Sequence, residues 1–180
     1  MKATIQQVDN YTTVLIDDVP QSTYLPPKNG YWHYMIPDTP VKTCLMLGVG
    51  GGTTARLLID KFPDIKITGV DNSQDIINLA REYMKLDEVN MEVVIGDAFE
   101  YIEKVEQKFD LILVDLFAGY WFPLKILTPK FLHKCQELLE KDGFLYINTP
   151  NIEYGLTLQL PTRVTRDMGA NTIYGFQKSV

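Results

Sequence analysis

Along most of this chain, short apolar runs alternate with segments of helical period. Thr43–Leu47 is almost unbroken in its hydrophobicity, as expected of a strand buried on both faces. Residues 53–62 then carry a helical pattern, and residues 66–70 form a second strand. Ser73 stands in capping position before a helix in which Ile76, Leu79, Ala80 and Tyr83 recur at i, i+3, i+4 and i+7. A third strand over 91–95 leads to a short helix over 99–104, and Phe109–Val114 is a fourth strand. Thr128 followed by Pro129 marks the start of another helix, with Phe131, Cys135, Leu138 and Leu139 on one face. Asp142 and Gly143 then turn the chain into a fifth strand over 144–147. The tail predicts a short helix near 152–158 and strands at 163–165 and 172–176.

The texture before residue 40 is different. The apolar run Thr13, Val14, Leu15, Ile16 is followed by the turn-forming Asp17, Pro20, Pro26, Pro27, Asn29 and Gly30, which predicts a short β-hairpin region. The chain therefore divides into a short β-hairpin region over 1–40 and a larger domain over 41–180. Regular strand–helix alternation in the second part predicts an α/β fold, a mostly parallel, doubly wound sheet joined by right-handed crossovers.

Composition narrows the function classes. At 180 residues, with 46% hydrophobic and 22% charged side chains, the chain can build a core without disulfide or metal staples. Its net charge of −6 repels phosphate backbones, so no nucleic-acid partner is expected. No apolar stretch approaches the length of a membrane span, and the first residues lack a secretory leader, so a cytoplasmic protein is expected. Cys44 and Cys135 have no CxxC or Cys/His companions, and no metal site is expected.

The chemistry gathers at one edge. In open α/β sheets, ligands bind beyond the carboxyl ends of the strands. The first strand of the domain runs into Gly48, Val49, Gly50, Gly51 and Gly52, the second ends at Asp71, the third at Gly96 and Asp97, and the fourth at Asp115. Taken singly, each aspartate would serve as a helix cap and the glycines as a tight turn. Together they describe a glycine loop that admits a ligand close to the backbone, flanked by three carboxylates. Asp71, about 20 residues beyond the glycines, is placed to accept both hydroxyls of a ribose.

The identity of the nucleoside follows less directly. The dinucleotide pattern GxGxxG fails from Gly48, although a GxGxxA fits from Gly50 through Gly52 to Ala55. Tyr24 and Lys28 span Pro26 and Pro27, so they cannot form the helical catalytic pair of a short-chain reductase, and NAD remains a minor alternative. A phosphate-binding GxxxxGK[ST] loop is missing, which argues against ATP or GTP hydrolysis. Gly48, Gly50 and Gly52 with Asp71 and Asp97 favour a mononucleoside carrying a sulfonium, with Asp97 toward the adenine amino group and Asp115 toward the reacting carbon.

From about Leu15 to Pro150 the sequence resembles the spermidine synthase family, a branch of the Rossmann-like class I methyltransferase fold. The residues that carry the resemblance are Leu15 to Gln21, the segment Trp32, His33, Tyr34, Met35, the stretch from Leu45 to Arg56, Val70 with Asp71, Ile95 to Ala98, and Phe109 to Asp115. The resemblance implies a transferase using S-adenosylmethionine or its decarboxylated form as donor and a small amine-type acceptor. It implies that Asp71 with Asn72 holds the ribose, Asp97 with Ala98 the adenine, and that Asp115 is the general base. Gln21 and His33 would close the pocket, and a homodimer is compatible with it.

Two departures stand out. Gly51 occupies the position of the family's loop acid, and Ala118 that of its second acceptor-site acid. Each lost charged contact is worth roughly 1.5–3 kcal/mol, which leaves aminopropyl and methyl transfer both open. Met46, two residues before Gly48, stands where many methyltransferases place an acid. The alternative from another class is a non-catalytic adenosyl-nucleoside-binding or scaffold protein of the same fold.

Overall fold

The structure, a computed structural model, describes residues 2–150, 164–167 and 171–179. Three strands come first, β1 (Ala3–Val8), β2 (Tyr11–Ile16) and β3 (Val19–Tyr24), paired as an antiparallel meander. There are three strands here, not the two of a hairpin. Thr4, Gln6 and Gln7 gave β1 a polar appearance, yet its pairing runs the full length from Ala3 opposite Ile16 to Val8 opposite Tyr11. A single 3-10 turn, Tyr31–Met35, then leads into the second sheet.

That sheet is built from β4 (Thr43–Leu47), β5 (Lys66–Asp71), β6 (Met91–Ile95), β7 (Phe109–Val114), β8 (Leu139–Pro150), β9 (Val164–Asp167) and β10 (Asn171–Gln177). The helices α1 (Thr53–Lys61), α2 (Gln74–Met84), α3 (Ala98–Lys104) and α4 (Pro129–Leu138) connect them. The spatial order is β6-β5-β4-β7-β8-β10-β9. Strands β4 to β8 pair in parallel, and β10 runs antiparallel to both β8 and β9. The α/β doubly wound expectation therefore holds, with one reversed strand among those described. The fifth parallel strand is longer than residues 144–147, because it continues as the partner of β10 from Phe144 opposite Gln177 to Pro150 opposite Asn171. The helix expected near 152–158 and residue 163 lie outside the described residues.

Alternation along the central strands loads both faces. Leu45, Leu47, Ile112, Val114, Leu145 and Ile147 pack with Ile102 and with Phe131, Leu132 and Cys135 of α4. Cys44, Met46, Ile67, Leu111 and Leu113 pack on the other face with Ala55 and Leu58 of α1 and Ile77 and Ala80 of α2. Removing either side from water gains about 25 cal/mol per Å² of apolar area, which is what holds the strand ends in register. A third cluster, Val14 and Ile16 against Ile76 and Met84, seats the meander on α2. The chain order reverses between β4 and β7, and such a switch point leaves a crevice beyond the strand ends.

Candidate active site

The loop after β4 has little conformational choice. Gly48 has φ +92°, and a Cβ there would lie 2.1 Å from the Asp115 carbonyl oxygen. Gly50 has φ +54°, and its Cβ would meet Ser22 Oγ at 2.4 Å. Both positions combine a left-handed backbone with a close approach that only glycine tolerates.

Asp71, buried at the end of β5, ties this loop down. Its Oδ2 accepts from the Val49 amide at 3.0 Å and the Gly50 amide at 2.9 Å. Its Oδ1 accepts from the Ser73 amide at 2.9 Å. A carboxylate offers about four acceptor sites, so three amides leave capacity for a ligand hydroxyl. Asp97 caps α3, with Oδ1 accepting from Phe99 at 2.7 Å and Glu100 at 3.0 Å. The cap uses one oxygen, and the other can meet a ligand donor.

Asp115 follows β7 and sits in a hydrogen-bonded cluster. The Tyr31 hydroxyl donates to its Oδ2 at 3.0 Å, and the Asn148 amide donates to its Oδ1 at 2.8 Å. Asn148, fully buried, accepts in turn from the Asn171 amide at 3.0 Å. Burial pushes the Asp115 carboxyl from its ordinary 3.8 up to about 6, and the bonds from Asn148 and Tyr31 partly offset that rise. Tyr31 is held well above its usual range, first by burial and then by the neighbouring carboxylate. A carboxylate with a midpoint near neutrality suits proton transfer at physiological pH.

These groups share one cleft of about 440 Å³, lined by residues from the meander, the strand ends and the segment after β7. That volume is within the range of small-molecule sites. Gly48, Gly50, Asp71, Asn72, Asp97, Ala98, Asp115 and Gln21 all line it. The Gln21 amide donates to Val19 O and Pro20 O at 3.2 Å and to Gly119 O at 3.5 Å, all from residues that also line the cleft.

Three expected residues do not line the cleft. A Cβ on Gly51 would strike Met84 Cε at 2.4 Å, and one on Gly52 would strike Leu86 Cδ1 at 2.5 Å. The glycine cluster is therefore split. Its first two members face the ligand space, and the last two let α2 and the meander pack against the loop. His33 points into the protein, where its Nε2 has no hydrogen-bond partner among the described residues. Sequence reasoning also missed residues: Asn148, Asn171, Ser22 and Tyr31 line or buttress the site. Asn148 carried a usable signal, since it follows the apolar run 144–147 as Asp115 follows β7.

The methyltransferase-domain family model matches residues 39–175. The polyamine aminopropyltransferase of Pyrobaculum aerophilum is 30% identical over 168 residues, covering 83% of this chain and 57% of that protein. The chain belongs to the methyltransferase-domain family, within its spermidine synthase (polyamine aminopropyltransferase) branch. A probable spermidine synthase from Corynebacterium glutamicum shares its fold at a TM-score of 0.79 and 18% identity, over 97% of this chain and 76% of that one. A spermidine synthase in complex with the transition-state analogue AdoDATO gives 0.75 at 20% identity, over 98% and 73%. This spermidine synthase relative spans little more than half the length of the Pyrobaculum protein it matches.

Proposed function

We propose that the protein is a spermidine synthase-like transferase that binds S-adenosylmethionine or decarboxylated S-adenosylmethionine and transfers an aminopropyl or methyl group to an amine-type acceptor. One observation carries this reading. Gly48 and Gly50 with Asp71 and Asp97, and Asp115 with Tyr31, line the same cleft, and Asn148 holds Asp115 from behind it. The donor set fits an adenosyl group: Asp71 and Asp97 are acceptors matched to ribose hydroxyls and an adenine amino group, and Gly48 and Gly50 keep the loop backbone bare. Such a donor supplies a carbon activated by an adjacent positive sulfur. The chain's own contribution is alignment and proton removal, with Asp115 Oδ2 as the base for the acceptor's ammonium proton.

A second reading, a non-catalytic adenosyl-nucleoside binder, is favoured by Gly51 and Ala118. Gly51 brings no acid to the donor's ammonium and Ala118 none to the acceptor, and a side chain at Gly51 would meet Met84 and Ser22. Transfer activity separates the two readings.

The test of donor binding is a thermal-shift panel. A ligand at 100 times its dissociation constant adds about 2.7 kcal/mol, or roughly 5–10 °C for a domain of this size. S-adenosylmethionine, decarboxylated S-adenosylmethionine or methylthioadenosine is expected to raise the Tm, with NAD and ATP inert. A panel in which only NAD stabilises the protein would overturn the assignment. The donor with the largest shift points to the transferred group.

A further inference from the structure

The cluster around Asp115 has a direction built into it. We propose that Asn148 and Asn171 are positioning residues that fix Asp115 Oδ1 as a permanent acceptor and so reserve Oδ2 for the acceptor's proton, an inference that rests on Asp115 being the base. An ionised carboxylate only accepts, so the Asn148 group facing Oδ1 at 2.8 Å must be its NH2. The Asn148 carbonyl is then turned to Asn171, whose NH2 meets it at 3.0 Å. Each amide orientation is dictated by the one before it. Asn148 is fully buried on β8, and Asn171 opens β10, the antiparallel neighbour of β8.

The two oxygens of Asp115 are therefore unequal. A proton on Oδ1 would oppose the NH2 of Asn148, donor against donor, in a site where the amide cannot turn without breaking its bond to Asn171. Oδ2 faces the Tyr31 hydroxyl at 3.0 Å, and a hydroxyl can rotate. When the acceptor's N–H proton passes to Oδ2, the Tyr31 hydroxyl switches from donor to acceptor of the new O–H. The acceptor nitrogen keeps the electron pair of the broken N–H bond, and the charge moves from carboxylate to neutral acid as the ammonium becomes an amine. Tyr31 is the titratable side chain in contact with Asp115 among the described residues, and it stays protonated throughout.

The experiment is a carbon-13 titration of the Asp115 carboxyl from pH 4 to 9 in the full chain without nucleoside, assigned with Asp115→Asn. Asn171→Leu removes the amide that orients Asn148, and the midpoint is expected to rise by about 0.5–1 pH unit. Asn171→Ser keeps a donor and is expected to stay closer to wild type than Asn171→Leu. Asn148→Leu should raise the midpoint further, and if that core variant does not fold, the Asn171 pair carries the test. A midpoint in Asn171→Leu equal to wild type, or an Asn171→Ser midpoint as displaced as that of Asn171→Leu, overturns the proposal. Because the titration uses nucleoside-free protein, it stands apart from the thermal-shift panel. An inert panel would sink the donor assignment while leaving the relay intact, and the reverse outcome would sink only the relay.

Discussion

Asp115→Asn is expected to keep the nucleoside-induced rise in Tm and to slow transfer by about 10²–10⁴-fold, the usual contribution of a positioned general base. The substitution preserves shape and one acceptor oxygen for Asn148 or Tyr31, but it cannot take a proton. The pH dependence should agree. The Asp115 carboxyl is raised from 3.8 to about 6, so the base form appears as pH rises through about 6, and kcat/KM should climb over that interval and then level. In the donor complex a nearby positive sulfur favours the carboxylate, so the same limb in kcat should lie at lower pH. The stability linkage has the opposite sign. A folded midpoint above the unfolded one means that the group's contribution is present below the unfolded value and is lost as pH rises through about 6. Stability should therefore fall over the interval in which activity rises. An Asp115→Asn protein that transfers at the wild-type rate would remove Asp115 from the chemistry.

The carboxyl-edge rule made much of the cleft legible in the sequence because backbone topology alone decides it. A strand that ends in Asp places that Asp at the sheet edge whatever the side-chain packing, and Asp71, Asp97 and Asp115 all line the cleft. Packing details were not legible in the same way. Gly51 and Gly52 look like Gly48 and Gly50 in sequence, and only the positions of Met84, Leu86 and Ser22 distinguish them. Tyr31 and Asp115 are separated by 84 residues, so no local pattern could pair them. His33, expected at the pocket from the resemblance, sits in a 3-10 turn that directs it inward while Tyr31 from the same turn reaches Asp115. The meander was under-read for a related reason: β1 earns its place by edge pairing and by packing Ala3 and Ile5 near α2, not by a strongly apolar sequence.

Asp71→Ala should have the largest combined effect on folding and binding, because this side chain is both ligand acceptor and loop anchor. Three backbone amides, those of Val49, Gly50 and Ser73, lose their acceptor. An unsatisfied buried donor costs about 1–3 kcal/mol, and water entering from the cleft can relieve the more exposed of the three, so a net loss of about 2–5 kcal/mol is expected. The shift produced by adenosyl compounds should vanish as well, since the ribose loses its acceptor and the loop its shape. Asp97→Ala separates the two roles. It removes a cap worth about 0.5–2 kcal/mol from α3 without touching the glycine loop, so it should weaken the nucleoside shift while lowering the Tm much less. Asp71→Asn provides the finer control. It keeps one oxygen, but its NH2 must face either the Val49 and Gly50 amides or that of Ser73, so it should fall between wild type and Asp71→Ala in both measurements. If Asp71→Ala retained the wild-type Tm and a full nucleoside shift, the anchor and the ribose site would both have to lie elsewhere. Loss of stability with binding preserved would confine Asp71 to holding the loop and leave the ribose to the other polar residues lining the cleft there, Asn72, Ser73 and Asp75 among them.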